Sequence, residues 1–181
     1  MLERERLHCV MNGRIPDKVP HFELVFQIPE EAFGLSWPTR EEVATASPKE
    51  RERAYERWFD INERIMERYK WAAIAAPLDF FGVRKGMLAD AKKRLGDRVM
   101  VYDWNGDGVF WLMDGDDMMD FSVRMYEQPE DVHRQAREKC EASKLLATRQ
   151  VDQGADFICI NSDFAFNVGP FISPAHFAEF V

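Results

Sequence analysis

Apolar and polar positions change period several times along the chain, and each change marks an element. Leu2, Leu7, Val10 and Met11 recur at near-helical spacing among charges, and Asn12-Gly13 supplies a left-handed cap, which predicts a short opening helix over 2–11. Pro16 to Pro20 forces an extended entry into His21–Phe26. There Phe22, Leu24 and Phe26 alternate with His21, Glu23 and Val25, which predicts the first strand. Residues 29–48 carry turn residues and acids without a sustained period and read as a surface excursion. Over 48–70 the period becomes helical, with Ala54, Trp58, Ile61, Ile65 and Tyr69 on one stripe that must pack on a sheet.

Trp71 to Leu78 is small and apolar, a buried strand ending at Asp79. Lys85 to Leu95 reads as a helix closed by Gly96. Arg98–Asp103 and Val109–Asp114 read as short strands joined by the turn signal Trp104-Asn-Gly-Asp-Gly108. Helices are predicted over Asp116–Glu127 and from Pro129 to about Gln153, the second burying Val132, Ala136, Cys140, Ala147 and Val151. Phe157–Ile160, an apolar run between Gly154 and a polar cluster, predicts a strand covered on both faces. Ser173-Pro174 then opens a last helix. Strands separated by helices mean a parallel sheet. Four such strands with flanking helices and one hairpin predict an α/β fold, built as a barrel or as an open parallel sheet.

Composition removes several classes of function. A net charge of −8 argues against a nucleic-acid partner, which needs clustered Lys and Arg. Cys9, Cys140 and Cys159 are widely spaced and odd in number, so they read as free thiols and not as a disulfide framework or zinc knuckle. The N-terminus has no apolar signal region and no run is long enough to span a bilayer, which points to the cytoplasm and no membrane partner.

Asp79 and Asp163 carry the main chemical signal. Both end apolar strands and both precede aromatics, so in a parallel sheet they would lie over the same mouth. A carboxylate partly desolvated by Phe80, Phe81, Phe164 and Phe166 suits proton transfer or the binding of cationic N–H groups. The structural alternative is that each caps its following loop through an Asx turn. Asn161 shares the strand end with Asp163 and is a candidate substrate contact. Glu23 and His21 share one face of the first strand. Glu23 either lines a barrel interior, where it must be paired or functional, or faces solvent at a sheet edge. His21 reads first as a structural histidine, with a substrate contact as its second role. Asp103-x-Asn105-x-Asp107-Gly108, with Asp114 at the twelfth place, copies calcium-loop spacing. Its flanks read as strand where such a loop needs helices, so a polar hairpin turn is the preferred reading. No two histidines have ligand spacing, and no metal site is expected within the chain.

These residues give the chain a resemblance to the uroporphyrinogen decarboxylase superfamily. It rests on Arg6-Leu-x-x-x-Met-Asn-Gly-x-x-Pro-Asp-x-Val-Pro20, the Ala-Ala-Ile strand leading to Asp79, Tyr126-Glu-Gln-Pro-Glu130, and Gly154-Ala-Asp through Gly169-Pro170. The resemblance implies an α/β fold of the (β/α)8 TIM-barrel type, which typically takes about 250 residues, so the 181 present are expected to form a single, incomplete domain over 1–181, the N-terminal half of a barrel with four parallel strands. It also implies either tetrapyrrole decarboxylation or zinc-dependent methyl transfer with corrinoid proteins. It places Asp79 at the family's catalytic aspartate and Asp163 where the family has a substrate-contacting serine. Val25-Phe-Gln-Ile-Pro29 stands where decarboxylases carry Arg-Gln-Ala-Gly-Arg, and the position of their tyrosine falls at Gly115. An anionic octacarboxylate would meet acids where it needs cations. The leading expectation is thus an enzyme fragment of the corrinoid methyltransferase branch, acting on a small molecule or a corrinoid-bearing protein. A tetrapyrrole carboxy-lyase comes second, and a non-catalytic binding half is the third reading. No cofactor is expected within this chain, zinc belonging only to a missing C-terminal half. Unpaired outer strands predict a homodimer or a complementing C-terminal half.

Overall fold

The computed structural model of the chain describes residues 1–106, 110, 115–162 and 164–181. Most of the second hairpin strand expected over Val109–Asp114 therefore lies outside the described residues, as does Asp163. The chain divides into two compact units, Met1–Asp103 with Gln150–Ile158, and Trp104–Arg149 with Cys159–Val181.

The first unit is built on one long helix. Four helices precede its sheet: α1 (Glu3–Met11), α2 (Pro29–Phe33), α3 (Arg40–Thr45) and α4 (Pro48–Tyr69). Ser47 and Glu50 form a capping box at the start of α4, Pro48 occupies its first turn, and Lys70 closes it in the left-handed region at φ 56°. The predicted stripe is the buried one: Ala54, Trp58, Ile61 and Ile65 enter the core, joined by Tyr55, Phe59 and Met66. The excursion expected over 29–48 contains α2 and α3. Pro29 at the start of α2, Gly34 at its left-handed cap and Thr39 accepting from the Glu42 N–H are the local signals that make these short helices.

Three parallel strands follow, β1 (Ala73–Ala75), β4 (Met100–Trp104) and β5 (Phe157–Cys159), lying in the order β1-β4-β5. Between them come the two-residue strands β2 (Asp79–Phe80) and β3 (Arg84–Lys85), paired antiparallel, and helix α5 (Met87–Leu95). Ala73, Ile74 and Ala75 pair in parallel with Met100, Val101 and Tyr102. On the other side of β4 the Asp156 N–H donates to the Val101 carbonyl at 2.7 Å and the Asn105 N–H to the Cys159 carbonyl at 3.0 Å, so residue numbers rise together. Val99, Val101, Ile74 and Ala76 meet α4 and α5 in one apolar core.

Among the described residues the parallel sheet has three strands where four were expected, because residues 21–26 do not join it. Their backbone link beside it among those residues is the Ala72 N–H donating to the His21 carbonyl at 2.8 Å. From there the chain crosses the sheet instead of running along β1. The Phe22 ring lies 5.6 Å from Tyr102 and 6.0 Å from Phe157, over the two neighbouring strands. Phe26 packs beside Tyr69 and Trp71, which precede β1. Burial of two phenylalanines across the face outweighs a ladder along the edge, and Leu24, of the same parity, is left half-exposed at 49%. β5 corrects another expectation: it is half-buried and not covered on both faces, and Ile160 after it is exposed.

The second unit contains α6 (Gly115–Glu127), most of α7 (Pro129–Asp152), the two-residue antiparallel pair β6 (Ala165–Phe166) and β7 (Gly169–Pro170), and α8 (Pro174–Phe180). Phe110, Phe121, Met125, Val132, Ile172 and Phe180 form its core. Ser173 caps α8 as predicted, accepting from the His176 N–H at 3.1 Å. On α7 Val132 is buried but Val151 is exposed, because five turns of 3.6 residues bring Gln150, which is fully buried, to the angle of Val132 and leave Val151 about 100° round from it. None of the described helices is long and apolar enough to cross a membrane.

Candidate functional site

Asp79 begins a tight hairpin. Register pairs it with Lys85 and Phe80 with Arg84, and the turn between them closes with the Val83 N–H donating to the Phe80 carbonyl at 3.0 Å. Phe81 and Gly82 both lie at positive φ, 52° and 78°. Gly82 adopts this freely, whereas for Phe81 it is a sterically costly conformation held by its surroundings. Asp79 is exposed, and its carboxylate accepts from the Gly82 N–H at 2.7 Å, so the Asx-type cap foreseen as its structural role is formed.

The hairpin is fastened from below. Arg84 donates to Glu52 at 3.0 Å and Asp90 at 3.4 Å, with its guanidinium 3.6 Å from the centre of the Tyr55 ring. Tyr55 donates to Asp90 at 2.5 Å, and burial with that carboxylate neighbour pushes the phenol far above its ordinary range. Phe80, buried, meets the Tyr55 ring edge-on at 5.4 Å. The result is an exposed carboxylate on an anchored frame, suited to receiving an N–H donor or a cation from solvent. Asp79→Asn keeps an oxygen for Gly82 and is expected to leave the melting temperature unchanged, whereas Asp79→Ala loses the cap at a cost of about 1 kcal/mol, readable by thermal melting.

His21 and Glu23 are also exposed. His21 is tied to the residue before β1 while Asp79 follows its last residue by four, so the two lie beyond opposite ends of that strand. Among the described residues these three side chains share no hydrogen bond. Asn161, in the second unit, is exposed, and Asp163 is not among the described residues. A surface cavity of about 420 Å³ in the first unit lies elsewhere, between α1 and Arg14.

Two of the calcium-loop oxygens serve the protein itself. Asp103 is buried and accepts from Gln150 at 2.9 Å. Asn105, also buried, donates to the Ser143 carbonyl at 2.9 Å and accepts from the Ser143 hydroxyl at 3.0 Å. Asp107, Gly108 and Asp114 lie outside the described residues. Among those described, no three His, Cys, Asp or Glu side chains are grouped as metal ligands.

A further polar centre, absent from the candidate residues, is built on Asp156. Asp156, one residue before β5, accepts both arms of the Arg4 guanidinium, the Lys92 ammonium at 2.6 Å and the Val101 N–H at 2.9 Å. Arg4 also donates to the Val99 carbonyl at 3.1 Å. Burial alone would push the Asp156 carboxyl up, but the bonds from Arg4, Lys92 and Val101 together hold it below the usual carboxylate range. At the entrance of β5 it ties that strand to α1, α5 and β4. The Gly154-Ala-Asp156 triplet was visible in the sequence, but its partners lie on α1, α5 and β4, far away along the chain. No family model, no curated protein and no solved structure matches the chain.

Proposed function

We propose that the chain supplies the opening strands of a (β/α)8 barrel enzyme of the uroporphyrinogen decarboxylase-like kind, in its corrinoid methyl-transfer branch. The observation that carries this reading is the winding. β1, β4 and β5 lie side by side in chain order, and the steps between them pass through α5 and then through α6 and α7. A barrel is wound that way throughout, and each half of a doubly wound sheet is too, up to the switch point where its order reverses; the barrel is the choice that agrees with the family resemblance. β5 has no strand on its outer side among the described residues. In this reading the wall continues there in a complementing set of strands. The methyl-transfer branch is favoured over carboxy-lyase chemistry because exposed Val25 and Ile28 occupy the stretch where a polyanionic substrate needs arginines, and Asp79 and Glu23 are exposed acids. Asp79 would serve as acceptor for an amide N–H or a cationic group of the corrinoid partner. A second reading, a non-catalytic binding half, is supported by the solvent-facing cap that Asp79 makes.

The test pairs two substrates. Methylcobalamin is expected to give a saturable absorbance change with the purified chain, weakened about tenfold by Asp79→Asn. Uroporphyrinogen is expected to remain intact. Release of carbon dioxide from it would favour the carboxy-lyase, and silence with both compounds would favour the binding half.

A further inference from the structure

Two surfaces of this molecule carry exposed apolar side chains beside charges of opposite sign. The first is the arm between α1 and the sheet. Ile15 is 96% exposed and Val19 80% exposed, almost fully in water, and Arg14 and Lys18 alternate with them. Asp17, the acid among them, is taken by Arg6 at 2.7 Å, while Arg14 and Lys18 make no ion pair among the described residues. Pro16 and Pro20 restrict the arm, so little backbone freedom remains to be lost on docking.

The second surface is the outer face of α6. Phe121 and Met125 point into the core, yet Met119 (69% exposed), Val123 and Tyr126 (73% exposed) form a second apolar stripe at i, i+4 and i+7. At 100° per residue, Asp116, Asp120 and Glu127 fall along one edge of that stripe. Such spacing is how a helix presents anchors to a partner.

We propose that a second copy of the chain lays its 14–19 arm on this stripe, Ile15 and Val19 covering Met119, Val123 and Tyr126 while Arg14 and Lys18 meet the acidic edge. Pairing α6 antiparallel with its own copy is the poorer arrangement, since symmetry then sets acid edge against acid edge. The contact joins unlike faces, so reciprocal use closes a pair and successive use builds longer assemblies. It stands independently of any enzymatic reading.

Sedimentation equilibrium of the full chain tests it. Self-association is expected, weakened at least about tenfold by Ile15→Asp or Val123→Asp. Both positions are exposed, and the variants should melt as the parent does when measured dilute. Raising salt should weaken association in part, since only the charged component is screened. Arg14→Glu with Lys18→Glu should disrupt it, and adding Asp120→Lys with Glu127→Lys to the same chain should restore it. A monomer persisting to about 1 mM, association indifferent to Ile15→Asp and Val123→Asp, or failure of the four-fold charge exchange to restore it would each overturn the proposal.

Discussion

Asp156→Ala is expected to lower the stability of the first unit by about 3 kcal/mol, read as a fall in the urea midpoint at unchanged slope. The change removes the acceptor for Arg4, Lys92 and the Val101 N–H at once. The estimate sits at the lower end for broken buried pairs because Arg4 and Lys92 keep 27% and 31% of their side-chain exposure and can be rehydrated. An exposed control, Glu56→Ala, which frees Arg94, should cost less than about 1 kcal/mol. Acid should act on the same group. The Asp156 pKa is lower in the folded than in the unfolded chain, so its stabilisation is present above the unfolded value of about 3.9 and is lost as pH falls through the folded value. The parent should therefore lose stability more steeply than Asp156→Asn below about pH 4. Equal pH profiles would mean that the carboxylate's charge contributes nothing.

The second large effect concerns Phe22. Phe22→Ala is expected to cost about 2 to 3 kcal/mol, because the ring covers the stacked pair Tyr102 and Phe157, whose centroids lie 4.8 Å apart. Leu24→Ala should cost less than about 0.5 kcal/mol, Leu24 being half in solvent. A regular strand over 21–26 would put both side chains on one buried face and make the two losses similar. Chemical denaturation of the pair of variants thus distinguishes a chain that crosses the sheet from one that extends it.

What the sequence made legible was governed by local period. α4, α5, α7 and α8 lie within a few residues of their expected places because caps and stripes act over one or two turns. β1, β4 and β5 were also foreseen, though shorter than their apolar runs. The misread stretch, 21–26, has perfect alternation, but alternation says only which side chains share a face. Whether the backbone finds a ladder depends on Tyr102 and Phe157, distant residues that offer Phe22 a better burial. Gln150 and Asp156 were missed for the same reason: polar residues whose value lies in partners dozens of positions away. At the candidate site, Asp79 was legible as the end of an apolar strand, but the two-residue hairpin strand it opens was not foreseen. Its anchoring through Arg84, Tyr55 and Asp90 joins three separate elements, and no spacing along the chain announces it.

The first unit is discontinuous, and that has a consequence for synthesis. Arg4 waits for Asp156, and β4 waits for β5, while residues 104–149 emerge in between. During translation α1 and the β4 edge are therefore complete but unfastened, and the intervening segment must be looped out before the unit can close. Closing so long a loop has an entropic cost that grows only slowly with length, yet it postpones the contacts that repay it. For that interval the unpaired side of β4 is a strand edge open to any neighbouring chain, and the order in which the two units condense decides how long it stays open.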